Sequence, residues 1–354
     1  MKKTLLAAAL AAATMTAQAD VKLSGHVNYV LGDLEEFNGN EDLEVGVAST
    51  SESRFRIVAS KEANGITYGL KQEFGLGGPG TQDKSLNKRV NEFWLKGSFG
   101  KVSLGQGSEA GDGSTENDYS GTYVLNGAAY NSWQFPSLAF DLDDDTVTDF
   151  TIGFSQIDGG RDERLRYDSP KLGGIATVSL DIDTNGNTGL AINASGSNWK
   201  AGLFTESKDG EEGQVTDLVA GTETGDAGKD GSDEIGGSIA GKFGGFTAAF
   251  QFGQRDEKVE DGYDLDYQKI IIGYRSGPYS FAIDFGTNDQ SSGADDAADL
   301  EVETTGLSFV YRPTGGVELY AGWRDAEVTI GKTDANPSAS ADADGILLGG
   351  RVRF

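Results

Sequence analysis

Apolar and polar residues alternate with a period of two along most of this chain, the pattern of β-strands that put one face into an apolar phase and wet the other. The clearest run is Tyr279 to Gly286, where Tyr279, Phe281, Ile283 and Phe285 share one face and Ser280, Ala282, Asp284 and Gly286 the other. The same split sets Ala176, Val178, Leu180 and Ile182 against Thr177, Ser179, Asp181 and Asp183. It also sets Val317, Leu319, Ala321 and Trp323 against Glu318, Tyr320, Gly322 and Arg324. Near the start, Val21, Leu23, Val27 and Tyr29 oppose Lys22, Ser24, His26 and Asn28, and at the end Ile346, Leu348, Val352 and Phe354 oppose Arg351 and Arg353. Both terminal strands therefore have an apolar outer face, as closure of a sheet on itself requires.

Sixteen strands are predicted, over 21–31, 53–62, 66–74, 90–97, 101–105, 163–168, 175–183, 189–195, 199–206, 235–243, 246–255, 265–274, 279–286, 301–311, 316–326 and 345–354. Short connections such as Asn64-Gly65 and Gly244-Gly245 alternate with polar, mostly long and acidic ones. Short turns on one side and long loops on the other are the layout of an outer-membrane barrel, and a soluble sandwich has no reason to alternate so regularly. Past the first residues there is no run of about 18 apolar residues, so a membrane can be crossed only by strands, which must close because unpaired backbone groups are too costly in hydrocarbon. The expected fold is all-β, a sixteen-stranded antiparallel transmembrane β-barrel, wide enough for a water-filled interior.

The first nineteen residues sharpen this reading. Lys2 and Lys3, a Leu/Ala-rich stretch from Leu5 to Ala13, and Ala17-Gln18-Ala19 before Asp20 form the three parts of a secretory leader. Residues 1–19 are expected to be cleaved, leaving 20–354 as the barrel. Losing two lysines shifts the formal charge from −27 to −29, which argues against a nucleic-acid partner. The chain has no cysteine, so disulfides, thiolate metal sites and Cys nucleophiles are all excluded. His26 is the only histidine and falls on the wet face of the first strand, which leaves almost nothing for a His-based triad or zinc site. No catalysis, cofactor or metal is expected.

Aromatics collect near strand ends, at Phe74, Phe243, Phe246, Tyr267, Tyr274, Tyr279, Tyr311, Tyr320 and Phe354, where an interfacial girdle would lie. One connection is far longer than the others: over fifty residues separate Gly105 from Arg164-Leu165-Arg166-Tyr167. It carries Glu109, Asp112, Glu116 and Asp118, then Tyr119, Tyr123, Tyr130, Trp133 and Phe135, then Asp141, Asp143, Asp144 and Asp145. A loop of that length is usually functional, and its apolar content lets it pack inside something.

The leader, the opening Asp-Val-Lys-Leu-Ser-Gly, the tract Gly-Ser-Phe-Gly-Lys-Val-Ser-Leu-Gly-Gln-Gly-Ser-Glu-Ala ending at Ala110, the tract Arg-Tyr-Asp-Ser-Pro-Lys-Leu-Gly-Gly ending at Gly174, and the terminal Phe together resemble general Gram-negative porins. The resemblance covers the mature chain. It implies a homotrimer of sixteen-stranded barrels whose third external loop, here 106–162, folds into the lumen and narrows it. It implies too that Glu109, Asp112, Glu116 and Asp118 on that loop face basic residues of the wall. Those that match by strand and facing are Arg54, Arg56, Arg164 and Arg166, with Lys71 as a further candidate. Phe354 is read as the assembly signal. Ser103 and Gln106 stand where many relatives carry Arg, which weakens the basic side.

The expected function is an outer-membrane pore for passive diffusion of small hydrophilic solutes and ions, with cations favoured by acids at the mouth. The partners are outer-membrane lipid, the solutes and two further copies of the chain. The alternatives are a channel specific for sugar or phosphate, a structural or adhesive barrel and, weakest for want of an activated nucleophile, a barrel lipase or protease. Asp141 to Asp145, and Asp295, Asp296 and Asp299, lack the spacing of an EF-hand and read as solvated loop. The glycines from Gly210 to Gly237 lack a phosphate-binding context. The acidic excess has a second explanation, a high-salt habitat in which acidic surfaces stay hydrated.

Overall fold

The computed structural model describes residues 19–33, 44–47, 53–76, 86–127, 138–141, 147–150, 157–209, 231–258, 262–292, 299–331 and 338–354. Residues 1–18 of the leader, Tyr130, Trp133, Phe135, Asp143 to Asp145, Asp295, Asp296 and most of the Gly-rich acidic stretch lie outside them. The strands are β1 (Asp20–Asp33), β2 (Glu44–Val47), β3 (Arg54–Ala63), β4 (Ile66–Leu76), β5 (Leu86–Gly97), β6 (Gly100–Ser108), β7 (Leu138–Asp141), β8 (Val147–Phe150), β9 (Arg161–Asp168) and β10 (Ala176–Asp183). They continue as β11 (Thr188–Ser195), β12 (Trp199–Lys208), β13 (Ser232–Phe243), β14 (Phe246–Glu257), β15 (Tyr263–Ser276), β16 (Tyr279–Ser292), β17 (Leu300–Thr314), β18 (Val317–Ile330) and β19 (Ala339–Arg353). A single-turn helix, α1 (Tyr123–Asn126), lies between β6 and β7.

All sixteen predicted strands are present and form a closed antiparallel barrel in chain order. The short β2 caps the upper half of the β3 position, since β1 pairs with β2 from Tyr29 to Gly32 and with β3 from Asp20 to His26. A separate hairpin, β7 with β8, stands apart from the barrel sheet. Closure runs along β1 and β19, from His26 opposite Arg353 to Asp33 opposite Ile346. It is completed by Gly25 and Phe354, whose amides and carbonyls exchange two bonds of 3.0 Å. Every described strand of the barrel except the short β2, which pairs with β1 alone, is paired on both sides.

The alternation sorts the two faces as expected. Val21, Leu23, Leu180, Ile182, Phe281, Phe285, Leu307, Leu319 and Leu348 are exposed on the outer wall, where lipid rather than water is their surroundings. At the short-turn end Phe243, Phe246, Tyr274 and Tyr279 are also exposed outward. Phe246 sits 4.9 Å from Tyr274, and Tyr279 stacks on Tyr311 at 5.1 Å. Two of the aromatics assigned to this girdle are elsewhere. Tyr267 and Tyr320 are buried on the inner face, because each has the opposite parity to its outward neighbours and a hydroxyl that finds a partner there, Gln251 Oε1 at 2.8 Å for Tyr267 and Asn28 Oδ1 at 2.6 Å for Tyr320.

Above the apolar belt the two faces exchange character, which simple alternation did not anticipate. On the far ends of β15 to β18, Asp264, Asp266, Asp289, Glu301, Glu303 and Glu327 point outward and are exposed. Leu265, Tyr267, Leu300, Val302, Val328 and Ile330 point inward and join Val124 and Leu125 of α1 and Ile157 in one buried apolar cluster. Here the outside is aqueous and the inside is packed, so each strand follows the soluble-protein pattern after the membrane pattern. Among the described residues no helix is long and apolar enough to cross a membrane.

Candidate pore constriction

The chain that follows β6 turns inward and runs along the inner wall, attached strand by strand. Ala110 N donates to Asp181 Oδ1 of β10 at 2.8 Å. Asn193 Nδ2 of β11 donates to Ser114 Oγ at 3.1 Å, and Ser238 Oγ of β13 donates to Ser114 O at 2.5 Å. Asn117 donates from its backbone and side-chain nitrogens to Ser238 Oγ at 3.2 and 2.9 Å. Lys269 of β15 donates to Asn126 O, and Arg312 of β17 to Gly121 O. Close approach is needed at Gly253 on β14, where a Cβ would lie 2.7 Å from Ile157 Cβ. Burial of Val124, Leu125 and Ile157 against the wall adds about 1.5–3 kcal/mol for each side chain.

The root of this segment is clamped by two of the predicted basic residues. Arg164 on β9 is 3% exposed, pairs with Glu92 Oε2 of β5 at 2.5 Å and donates to Ser108 O and Gly105 O, both at 2.9 Å. Arg166 donates to Glu109 O at 2.5 Å, to Ser108 O at 3.1 Å and to Asp168 Oδ1 at 2.9 Å. Both guanidiniums are committed to carbonyls at the loop root, the fixed fork of Arg matching two acceptors at once. Lys71 is half-buried on the inner face of β4, opposite Glu92 in the ladder.

Arg54 and Arg56 gather with Arg89 around one buried carboxylate, Glu73 of β4. Arg56 Nε lies 2.7 Å from Glu73 Oε2, Arg89 Nε 3.1 Å from Oε1 and Arg54 Nη1 3.9 Å from Oε1. Farther round the same wall Glu318 is held by Arg312 at 3.0 Å, by Arg351 at 2.5 Å and by Arg353 at 3.1 Å. His26 lies between the two groups, opposite Arg353 on one side and Arg54 on the other. The result is a basic arc on β17, β18, β19, β1, β3, β4 and β5. Arg89 and Arg312 fall outside the residues singled out from the sequence, Arg89 because it precedes the predicted start of its strand. Glu73 was findable, since it shares the inward parity of Lys71.

The loop acids have separate environments. Asp112 pairs with Arg161 at 2.9 Å. Asp118 accepts from Ser120 N at 2.7 Å and from Ser120 Oγ, fixing the turn that leads into α1. Asp158 accepts from Gly113 N at 2.9 and 3.0 Å. Burial pushes the Glu116 carboxyl above its ordinary range against a hydrogen bond from Tyr123, with Asp112 adding repulsion and Arg161 and Arg54 opposing it. Asp158 is pushed well up by burial and then by Glu116 and Asp112. Glu109 is buried at the root, and burial raises it too, against the pull of Lys208.

A closed barrel with an apolar belt outside, a polar wall inside and ionisable groups around its lumen is an outer-membrane channel of the porin class. This chain belongs to the Gram-negative porin family, whose model matches residues 5–331. The fold resembles the anion-selective porin from Comamonas acidovorans, at 14% identity and a TM-score of 0.65, covering 95% of this chain and 100% of that one. It is similar too to OmpT of Vibrio cholerae in its trimer form, with 15% identity, a TM-score of 0.63 and 95% and 99% coverage. The outer-membrane channel DcaP of Acinetobacter baumannii matches at 13% identity and a TM-score of 0.61, with 95% and 97% coverage. A search of the curated proteins finds no match. Family and fold place the protein in the outer membrane and point to a channel, not an enzyme.

Proposed function

We propose that the protein is a general diffusion porin, a water-filled channel that passes small hydrophilic solutes and ions down their gradients with a preference for cations. The observation that carries this reading is the attachment of residues 109–127 to inward-facing side chains of β10 to β17. It supports 106–162 as the loop that narrows the pore and leaves the passage on the side of the basic arc. The eyelet is then bounded by Arg54, Arg56 and Arg89, with Lys71 beside them, and by Asp112 and Glu116 on the loop. Arg164, Arg166, Glu109 and Asp118 hold the loop in place. Solutes stay hydrated throughout, so no chemistry from the protein is required.

Cation preference is supported by the formal charge, −27 for the full chain and −29 without the two lysines of residues 1–19, and by the exposed acids above the belt, which raise the local cation concentration at the mouth to an extent that salt screens. In this reading residues 1–19 are a leader removed on export, Phe354 is the assembly signal, and the barrels associate as homotrimers, as the trimer form of the Vibrio cholerae relative suggests. The test is single-channel conductance of refolded protein in planar bilayers under a salt gradient. Large steps closing in threes, with a cation-selective reversal potential, are expected. An absence of conductance rejects the channel reading, and an anion-selective potential rejects the preference.

A further inference from the structure

Cations collect at one end of the lumen. Lys96 on β5, Lys101 on β6, Lys200 on β12, Lys242 on β13 and Arg275 on β15 lie beside the short turns and share the inward parity of their strands. Lys96 stands directly opposite Lys101 in the ladder. Lys200 and Lys242 hold their ammonium groups 4.7 and 4.9 Å from the ring centre of Tyr119 on the loop. Among the described residues, Lys101 is the one of these five with a carboxylate partner, Glu92 at 3.8 Å. Two inner-face acids at this end are already engaged, Asp168 by Arg166 and Glu318 by Arg312, Arg351 and Arg353. On β1 and β3 the rim is mixed, Lys22 sharing it with Asp20 and Glu62. A chain with 56 acids against 29 lysines and arginines thus gathers cations without acid partners at its short-turn end. Its acids lie toward the other end, with Asp112 and Glu116 on the loop and Glu301, Glu303 and Glu327 at the far ends of the strands.

We propose that the channel rectifies: at low ionic strength it carries more current when its long-loop side is positive than when that side is negative. The proposal rests on the channel reading above. Fixed charge of one sign concentrates mobile ions of the other, so cations accumulate at the long-loop end and anions at the short-turn end. A field that makes the long-loop side positive drives both populations inward, and the lumen between them fills with carriers. The opposite field draws both populations outward and depletes it. The effect requires that each end control its own stretch of the pore. At about 0.01 M ionic strength the Debye length is about 30 Å, comparable to the thickness of the hydrocarbon core. At about 1 M it is about 3 Å, and the fixed charges act only on ions that touch them.

The test is current–voltage recording of refolded protein in planar bilayers with equal KCl on both sides, at about 0.01 M and at about 1 M. Orientation is read with fluorescent streptavidin added to one chamber. It binds a biotinylated cysteine introduced by Gly315→Cys in the turn between β17 and β18, where a Cβ meets nothing within 4 Å and the chain has no cysteine of its own. Larger current with the long-loop side positive is expected at the lower salt, and equal currents at the higher. Lys96 and Arg275 are exposed and have no carboxylate partner among the described residues, so both are expected to tolerate exchange. Lys96→Gln with Arg275→Gln should reduce the asymmetry, and Lys96→Glu with Arg275→Glu should remove most of it. Lys61→Glu, at the same end but on the outer face opposite Tyr68, should keep the wild-type ratio. Foldedness of each barrel is read from heat-modifiable migration. An absence of conductance rejects the channel reading and this proposal with it. Conduction that is symmetric at low salt, favours the other polarity, stays asymmetric at about 1 M, or is as asymmetric in the charge-reversed variant overturns the rectification alone.

Discussion

Tyr320 of β18 donates its hydroxyl to Asn28 Oδ1 of β1 at 2.6 Å, reaching across the strand that lies between them. That strand is β19, and the residue under the ring is Gly349, where a Cβ would lie 2.1 Å from Tyr320 Cζ. Both partners are buried, Asn28 fully. The chain thus closes its barrel twice at the seam, once by the backbone ladder of β1 and β19 and once by a side-chain bond that skips a strand.

Removing the hydroxyl with Tyr320→Phe should cost about 1–3 kcal/mol, since the Asn28 oxygen loses a buried donor. Gly349→Val should be more damaging, because the ring must leave its place and its packing goes with the bond. The order of the two variants, read as the temperature at which the folded band disappears on electrophoresis, checks this. If Gly349→Val melts no lower than Tyr320→Phe, the ring does not need the space that glycine leaves.

The loop root offers a second test. Arg164 and Glu92 are 2% and 6% exposed at their side chains and 2.5 Å apart. Truncating only the arginine with Arg164→Met leaves the buried Glu92 carboxylate with the longer ion pair to Lys101, at 3.8 Å, and is expected to cost up to about 3–5 kcal/mol. The double variant Arg164→Met with Glu92→Gln should recover a large part of the loss, although the carbonyls of Ser108 and Gly105 still lack their donor. A double-mutant cycle by thermal unfolding measures the coupling, and additive losses would contradict it.

The raised carboxyls of Glu116 and Asp158 give a pH dependence with a definite sign. Burial is the main cause in both, so docking of the loop favours their protonated forms. Their contribution to loop docking is therefore complete below the ordinary carboxylate range and is lost as pH rises through the raised values. Lowering pH toward the ordinary carboxylate range from above should protonate these groups before ordinary carboxylates titrate, remove negative charge from the proposed eyelet and reduce cation preference. Reversal potentials measured as a function of pH follow it, and Glu116→Gln should flatten the response. A wild-type response confined to the ordinary carboxylate range would exclude these two groups.

Most of the barrel was legible because its determinant is local: every second residue reports its face. The parity of 301–311 even continues through the exchange of character above the belt, since Glu301 and Glu303 lie in register with Leu307 and Phe309. What alternation cannot say is which medium a face meets. Glu301 outward and Val302 inward make sense only once an apolar loop packs inside and water replaces lipid outside. Tyr320 had the right parity but was grouped with the girdle by residue type, and parity was the better guide. The site was less legible. Side-chain direction brought Arg164 to the inner wall, but its engagement by Glu92 and the carbonyls of Ser108 and Gly105 arises from strand pairing that sequence spacing does not contain.

In the proposed channel the basic arc and the loop acids would act on passing ions with opposite sign, and their relative position decides which variants matter. Arg54, Arg56 and Arg89 share Glu73, so their combined charge exceeds that of the carboxylate they surround, and in the proposed channel this side would favour anions. Neutralising Arg56 and Arg89 together as Gln should leave Glu73 with Arg54 at 3.9 Å as its ion-pair partner and move the reversal potential toward cations. Glu116→Gln with Asp112→Asn should move it the other way, because those acids lie on the loop side. Both shifts should shrink in concentrated salt, where screening shortens the reach of each charge to a few ångströms. A third variant, with the acids at the exposed outer ends neutralised at Glu301, Glu303 and Glu327, separates the eyelet from the mouth. If the outer variant changes selectivity as much as the loop variant does, the field at the mouth controls permeation and the constriction sets only size.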